Sequence, residues 1–292
     1  MLRSLFCLVL ISVWGLSYAQ QHSVGFGVHS GFTIPVTLDK GMDRDPRYDP
    51  RYSLKAAPIG VTIMKDYERF GFVLSPGLVT IGQDYDVVST EGGHYGRRNI
   101  NMKYFMLPAA FKLHLIDLDF FRVSALASVS GAWLFDADDR ISHTDTKLNF
   151  PMETYPSLPE GYVVEYDGVL VPVIRNQINA QKENFNSVQV FAGVGLRFDW
   201  DVNNHWRVSF DTRVHYGFLD SRTRTYLQEI ESFERIYDQS GNRNEIFAHV
   251  SFGIARYIDF DKNDRDREKN LKGSKKKYSP QTPSRKRVKP RG

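Results

Sequence analysis

Cysteine is almost absent: the 292 residues contain one, Cys7. It lies inside an early apolar run, Leu5 to Leu16, so disulfides and thiolate chemistry are excluded from the rest of the chain. Also missing is a later apolar stretch of the roughly 20 residues that a membrane-spanning helix needs. Mean hydropathy is −0.39. Together these absences suit a soluble protein, but they suit one membrane architecture equally well. Strands of a membrane β-barrel alternate lipid-facing and lumen-facing residues, so their average hydropathy is unremarkable.

The first residues predict export. Arg3 supplies a positive charge, Leu5 to Leu16 the apolar segment, and Ser17-Tyr18-Ala19 the small residues a signal peptidase reads. Cleavage after Ala19 is expected, with 1–19 as a signal peptide. The apolar run is too short for an anchor.

What the chain has in quantity is period-two alternation. Val24, Phe26, Val28, Phe32, Ile34 and Val36 share one face, while Gly25, Gly27, His29, Gly31 and Thr33 share the other. The pattern recurs at Leu54 to Met64, Phe70 to Gln83, Asn101 to Leu115, Phe120 to Phe135, Ser187 to Trp200, Trp206 to Leu219 and Asn244 to Tyr257. Aromatic residues make up 13 % of the chain and Gly numbers 22, which favours strands over helices. That makes about eight strands, several of them reaching the roughly 9–11 residues needed to cross a bilayer.

The connections alternate short and long. Lys65 to Arg69, Ile116 to Asp119 and Asp201 to His205 are tight turns; Leu38 to Ser53, Asp84 to Ile100, Asp136 to Asn186 and Asp220 to Arg243 are long. Outer-membrane barrels have short periplasmic turns and long outer loops, whereas a soluble β-sandwich has no reason to alternate. A lipocalin-like barrel fits the alternation too, with its apolar face inside. Aromatic placement tips the balance: Trp200, Trp206, Phe120, Phe121 and Tyr257 gather near the tight turns, with Trp133 and Phe135 at the other end. Val24, Phe26, Val28, Val208, Phe210 and Val214 are therefore expected to face lipid. The expected fold is all-β: an eight-stranded antiparallel up-and-down transmembrane barrel over 20–258, in the outer membrane, with both mature ends periplasmic.

Segment 136–186 is long for a loop. Val163, Val164, Tyr166, Val169, Leu170 and Val171 predict a hairpin beyond the barrel rim; two further membrane strands, making ten, is the alternative. From 259 to 292 the composition turns basic, with no acidic residue after Glu268 and three prolines. This predicts a disordered cationic tail, which accounts for the net charge of +4. Lys275, Lys276, Lys277, Arg285, Lys286 and Arg287 are its candidate contacts with an anionic periplasmic surface. Export argues against nucleic acid as a partner.

The stretch Lys103-Tyr104-Phe105-Met106-Leu107-Pro108-Ala109-Ala110-Phe111-Lys112-Leu113 carries an aromatic, then an aliphatic-Pro pair and an apolar run ending in a lysine. With Val190 to Phe198 and Val250 to Tyr257, it resembles the PorT-like outer-membrane β-barrels of Bacteroidota over roughly Gln20 to Tyr257. That resemblance implies an eight-stranded barrel without catalytic residues. Its best-known member is associated with type IX protein secretion. The long 136–186 segment and the basic tail depart from the family pattern.

Arg197, Asp199, Arg207, Asp211, Arg213, His215 and His249 share one face of neighbouring strands. In a narrow barrel they would form a charge network plugging the lumen, because charges in small barrel interiors are ordinarily paired. The competing reading is a catalytic site like those of lipid-modifying barrel enzymes, but no serine–histidine pair has suitable spacing. His94 and His143 lie among acidic loop residues at irregular spacing, so no metal or cofactor is expected. The function this predicts is a non-enzymatic barrel that contacts outer-membrane lipid and anchors or assists an envelope protein complex. A lipid-modifying enzyme and a small-solute pore are the rivals.

Overall fold

The computed structural model describes residues 23–259, apart from 119, 152–154, 156 and 204. The expected signal peptide, 1–19, and the basic segment with Lys275, Lys276, Lys277, Arg285, Lys286 and Arg287 lie outside the described residues. One compact unit spans Val24–Ile258.

Nine strands carry this unit: β1 (Ser23–Pro35), β2 (Lys55–Asp66), β3 (Phe70–Leu74), β4 (Gly77–Ile81), β5 (His94–Leu118), β6 (Phe121–His143), β7 (Val188–Asp201), β8 (Trp206–Gly217) and β9 (Ile246–Asp259). The run expected as one strand from Phe70 to Gln83 is broken at Ser75-Pro76 into β3 and β4. Pro76 has no N–H to give to a ladder. Its carbonyl instead accepts from Val61 at 2.8 Å.

The antiparallel ladders run β1–β2, β2–β3, β3–β5, β5–β6, β6–β7, β7–β8 and β8–β9, with β4 seated between β2 and β5. Strand β9 is also the hydrogen-bonded neighbour of β1, so following the ladders leads back to the starting strand. Val24 pairs with Lys65, beside the β2–β3 turn. Tyr257 N–H donates to the His205 carbonyl at the β7–β8 turn, 2.8 Å away. Both ends of the described chain therefore lie at the short-turn end.

The long connections hold more structure than the sequence reading assigned them. Strand β5 already begins at His94 and β6 continues to His143, so parts of the expected loops 84–100 and 136–186 are strand. Tyr48–Arg51, Asp84–Val88, β5, β6 and Ile174–Gln181 form a sheet in that order beyond the ring of strands. The Val163–Val171 hairpin is present, with Thr146–Leu148 as a third strand. It forms a sheet of its own, separate from the one that holds the long strands. Segment 220–243, expected as a loop, contains helix α1 (Arg224–Glu231), capped by Thr223 Oγ1 accepting from Tyr226 N–H at 3.3 Å.

Along the strands of the ring most outward side chains are apolar and exposed or half-exposed, while most inward ones are buried. Phe26, Val28, Val208 and Val214 are exposed as expected, with Val24 and Phe210 partly so. The inward residues change in character from one end to the other. Charged groups fill the short-turn end. At the long-loop end an apolar cluster includes Ile81, Met102, Tyr104, Leu134, Phe191 and Phe247, with Tyr226 and Ile230 of α1 packed among them. The helix thus stoppers that end with two residues four apart on one face.

Candidate functional site

The inward face at the short-turn end is the densest concentration of chemistry in the molecule. Lys112 lies at its centre and is wholly buried. Its Nζ donates to Asp199 Oδ2 at 2.8 Å and lies 2.9 Å from Asp66 Oδ1. Arg197 Nε donates to Asp199 Oδ1 at 2.9 Å, its Nη1 to Asp211 Oδ2 at 3.3 Å, and its Nη2 to Ser209 Oγ at 2.9 Å. Arg213 grips Asp211 through Nε at 2.7 Å and Nη2 at 2.5 Å. Arg207 donates to both carboxylate oxygens of Asp201, to Asp66 and to Tyr257 Oη, and its guanidinium lies 4.5 Å from the centre of the Tyr257 ring.

The backbone makes room for this. A Cβ on Gly25 would fall 2.7 Å from Met64 Cγ and 3.0 Å from the Tyr257 ring. Glycine there lets Tyr257 lean inward, where its hydroxyl donates to Asp66 Oδ2 at 2.8 Å.

Of the seven residues singled out from the sequence, Arg197, Asp199, Arg207, Asp211 and Arg213 are joined in this network. His215 and His249 lie on the same inward face beside it, His249 directly across from Arg213. Among the described residues, neither His215 ring nitrogen has a hydrogen-bond partner, and nor does His249 Nε2. His215 instead stacks on Phe247, ring centres 4.8 Å apart. Next to the network a cavity of about 20 Å³ remains, room for one water, lined by His29, Thr62, Ser75, His249 and Ser251 together with Arg197, Asp211 and Arg213 of the network itself.

Asp66, Lys112 and Tyr257 belong to the network although the sequence reading did not place them there. The signal available was parity: Lys112 falls between outward Phe111 and Leu113, so it must point in.

No family model matches the chain. An uncharacterized lipoprotein of Mycoplasma pneumoniae (strain ATCC 29342 / M129 / Subtype 1) is 32 % identical over 97 residues, 32 % of this chain and 65 % of that protein. The chain thus spans less than two thirds of that relative's length. Among solved structures, the attachment invasion locus protein Ail of Yersinia pestis gives a TM-score of 0.34 at 9 % identity, over 82 % of this chain and 100 % of that one. The outer membrane protein OprG of Pseudomonas aeruginosa gives 0.36 at 11 %, over 82 % and 98 %. The outer membrane protease OmpT of Escherichia coli gives 0.37 at 7 %, over 82 % and 98 %. Likeness at this level says nothing of what the chain does.

A second polar cluster pins the long loops. Arg98 Nη2 donates to Asp139 Oδ2 and to Asp238 Oδ1, each at 2.5 Å. Asn179 Nδ2 and Tyr226 Oη donate to Asp238 Oδ2 at 2.8 and 2.7 Å. Burial alone would raise the Asp238 carboxyl, but the Arg98 charge and these donors outweigh it and hold the group well below the usual carboxylate range. His143, expected as a loop residue, ends β6 and lies 3.5 Å from Tyr237 Oη through Nε2. Among the described residues, no three His, Asp or Glu side chains gather as a metal site.

Proposed function

We propose that the chain is an integral outer-membrane protein, an eight-stranded barrel with β3 and β4 counted as one strand, that presents a compact loop cap outside the cell. The observation that carries this reading is the exposed apolar belt. Val28, Val129, Val194 and Phe252 are 52 %, 62 %, 64 % and 59 % exposed while charged residues fill the inside, the reverse of a soluble barrel. The outward apolar stretch of β5 from Phe105 to Leu115 rises about 25 Å, at about 3.3 Å per residue and a tilt of roughly 40°. Aromatic residues edge it on both sides. Tyr67, Phe70, Phe72 and Phe111 cluster near the β2–β3 turn, Phe121, Phe198 and Trp200 near the β5–β6 and β7–β8 turns, and Phe105 with Trp133 lies at the opposite edge.

Within the membrane reading, a non-enzymatic role in anchoring or assisting an envelope complex fits best. The interior carboxylates and guanidiniums pair with one another, and the long connections hold strands and a helix that offer a partner an ordered surface. The resemblance of the β5, β7 and β9 sequences to PorT-like barrels makes type IX secretion the candidate process. Fractionation with heat-modifiable gel mobility tests the membrane reading. The protein is expected with outer membranes, its mobility shifting on boiling; recovery from the soluble periplasm without detergent would refute it.

A further inference from the structure

One excursion of the chain beyond the ring leaves and returns at the same residue. Strand β6 ends at His143, and Ile174, where the chain re-enters the sheet, pairs in register with it. Between them run residues 144–173, which include the Val163–Val171 hairpin. On its other side His143 pairs with Gly96 of β5, where a Cβ would fall 2.6 Å from the His143 Cβ. The neck is therefore tight, and His143 is only 4 % exposed.

The two ring nitrogens have different partners. Nδ1 lies 2.9 Å from the Thr144 carbonyl, which can only accept, so the ring proton of a neutral imidazole sits on Nδ1. Nε2 then carries the lone pair and faces Tyr237 Oη at 3.5 Å, the long end of a hydrogen bond. Tyr237 Oη in turn lies 2.5 Å from Tyr162 Oη, in the middle of the excursion. With the imidazole neutral, Tyr162 can donate to Tyr237 and Tyr237 to His143. One chain of hydroxyls thus ties the hairpin to its own neck.

No counter-charge waits for a protonated ring. Gly96 and Ile174, its sheet neighbours, carry no charge, and Arg97, Arg175 and Asp145 beside them are exposed. Arg98 reaches the Tyr237 carbonyl at 2.7 Å, but Asp139 and Asp238 already hold it. Protonation would make Nε2 a donor, reverse the chain of hydroxyls and leave a buried positive charge unpaired. Burial accordingly pushes this imidazole below its ordinary value.

We propose that His143 is an acid-released latch: neutral, it keeps Tyr162 and the hairpin down on the cap, and protonated, it lets them go. Release would uncover Val169 and Val171, which are buried in the cap's apolar cluster. The latch is complete above the unfolded value near 6.5 and weakens as pH falls toward the lower folded one. It lies in the loops and does not depend on the membrane reading.

The test is hydrogen exchange of the full-length protein in detergent, corrected for the intrinsic effect of pH on exchange. Between about pH 7.5 and pH 5, opening of 157–173 is expected to rise about tenfold, the change one proton allows for a shift of one pH unit. Segment 121–135 of β6, in the ring, should not respond. His143→Gln presents an amide oxygen to Tyr237 and never charges, so its hairpin should open equally at both pH values.

A hairpin that opens equally at both pH values in the unmodified protein would overturn the proposal, and that comparison stands even if the variant fails to fold. An equal rise in 121–135 would overturn it too, since acid would then be loosening the whole molecule. So would a His143→Gln protein that responds to acid as the parent does, because another group would then carry the proton.

Discussion

A buried ammonium between two buried carboxylates holds their charges in balance, and Lys112 occupies that position between Asp66 and Asp199. Removing one partner of such a group strands the others without water to solvate them. Lys112→Ala is expected to destabilise the folded protein by about 3–5 kcal/mol, the cost of an uncompensated buried charge. Lys112→Met combined with Asp199→Asn is expected to recover part of that loss, because it restores the balance with near-isosteric groups. Urea unfolding in detergent, followed by heat-modifiable mobility, gives both values. A Lys112→Ala protein as stable as the parent would show that water reaches the site. Gly25 belongs to the same scale, since the Tyr257 and Met64 side chains occupy the space its Cβ would need.

The elements that most distinguish this chain are the ones beyond the ring. Strands β5 and β6 continue past the belt into a sheet that also holds Tyr48–Arg51, Asp84–Val88 and Ile174–Gln181, and α1 packs into its base. Asp238 ties these pieces together through Arg98, Asn179 and Tyr226. Its carboxyl is depressed in the folded protein, so the stability it contributes is fully present above the unfolded value near 3.9 and is lost as pH falls through the lower folded one. Asp238→Asn is therefore expected to loosen the cap by roughly 1.5–3 kcal/mol at neutral pH, the worth of hydrogen bonds to a charge. The gap between variant and parent should persist down to about pH 4 and close only in stronger acid. Hydrogen exchange of 220–245 across a pH series measures it. A gap that closes between pH 5 and 6 would mean that another group carries the pin.

For the molecule as a whole, the layering of the interior decides what can pass through. Paired charges fill one end, histidines and hydroxyls the middle, and an apolar cluster stoppered by Tyr226 and Ile230 the other. An interior filled by side chains is what about eight strands ordinarily allow. No large stable openings are expected when the purified protein is reconstituted in planar bilayers. Conductance steps of porin size would show that α1 leaves the mouth and would favour the pore reading.

The sequence by itself determined the strands of the ring, the alternation of short and long connections, and the inward parity of Arg197, Asp199, Arg207, Asp211 and Arg213. These are legible because a period of two is a local property of the backbone, and one misplaced residue would send every later side chain to the wrong face. Only the tertiary structure decided which partners those charges take. Lys112 meets Asp199 across 87 positions of sequence, and Tyr257 meets Asp66 across 191, distances that no local pattern encodes. The same reason hid the cap. Helix α1 has eight residues and two buried side chains, too little periodicity to stand out. Ile174–Gln181 is a strand because the upper end of β6 is there to pair with it. His215 and His249 share the parity of the network, and His249 lies directly across from Arg213, yet neither His215 ring nitrogen nor His249 Nε2 takes a hydrogen bond, because register sets the face of a side chain and not the partner it bonds.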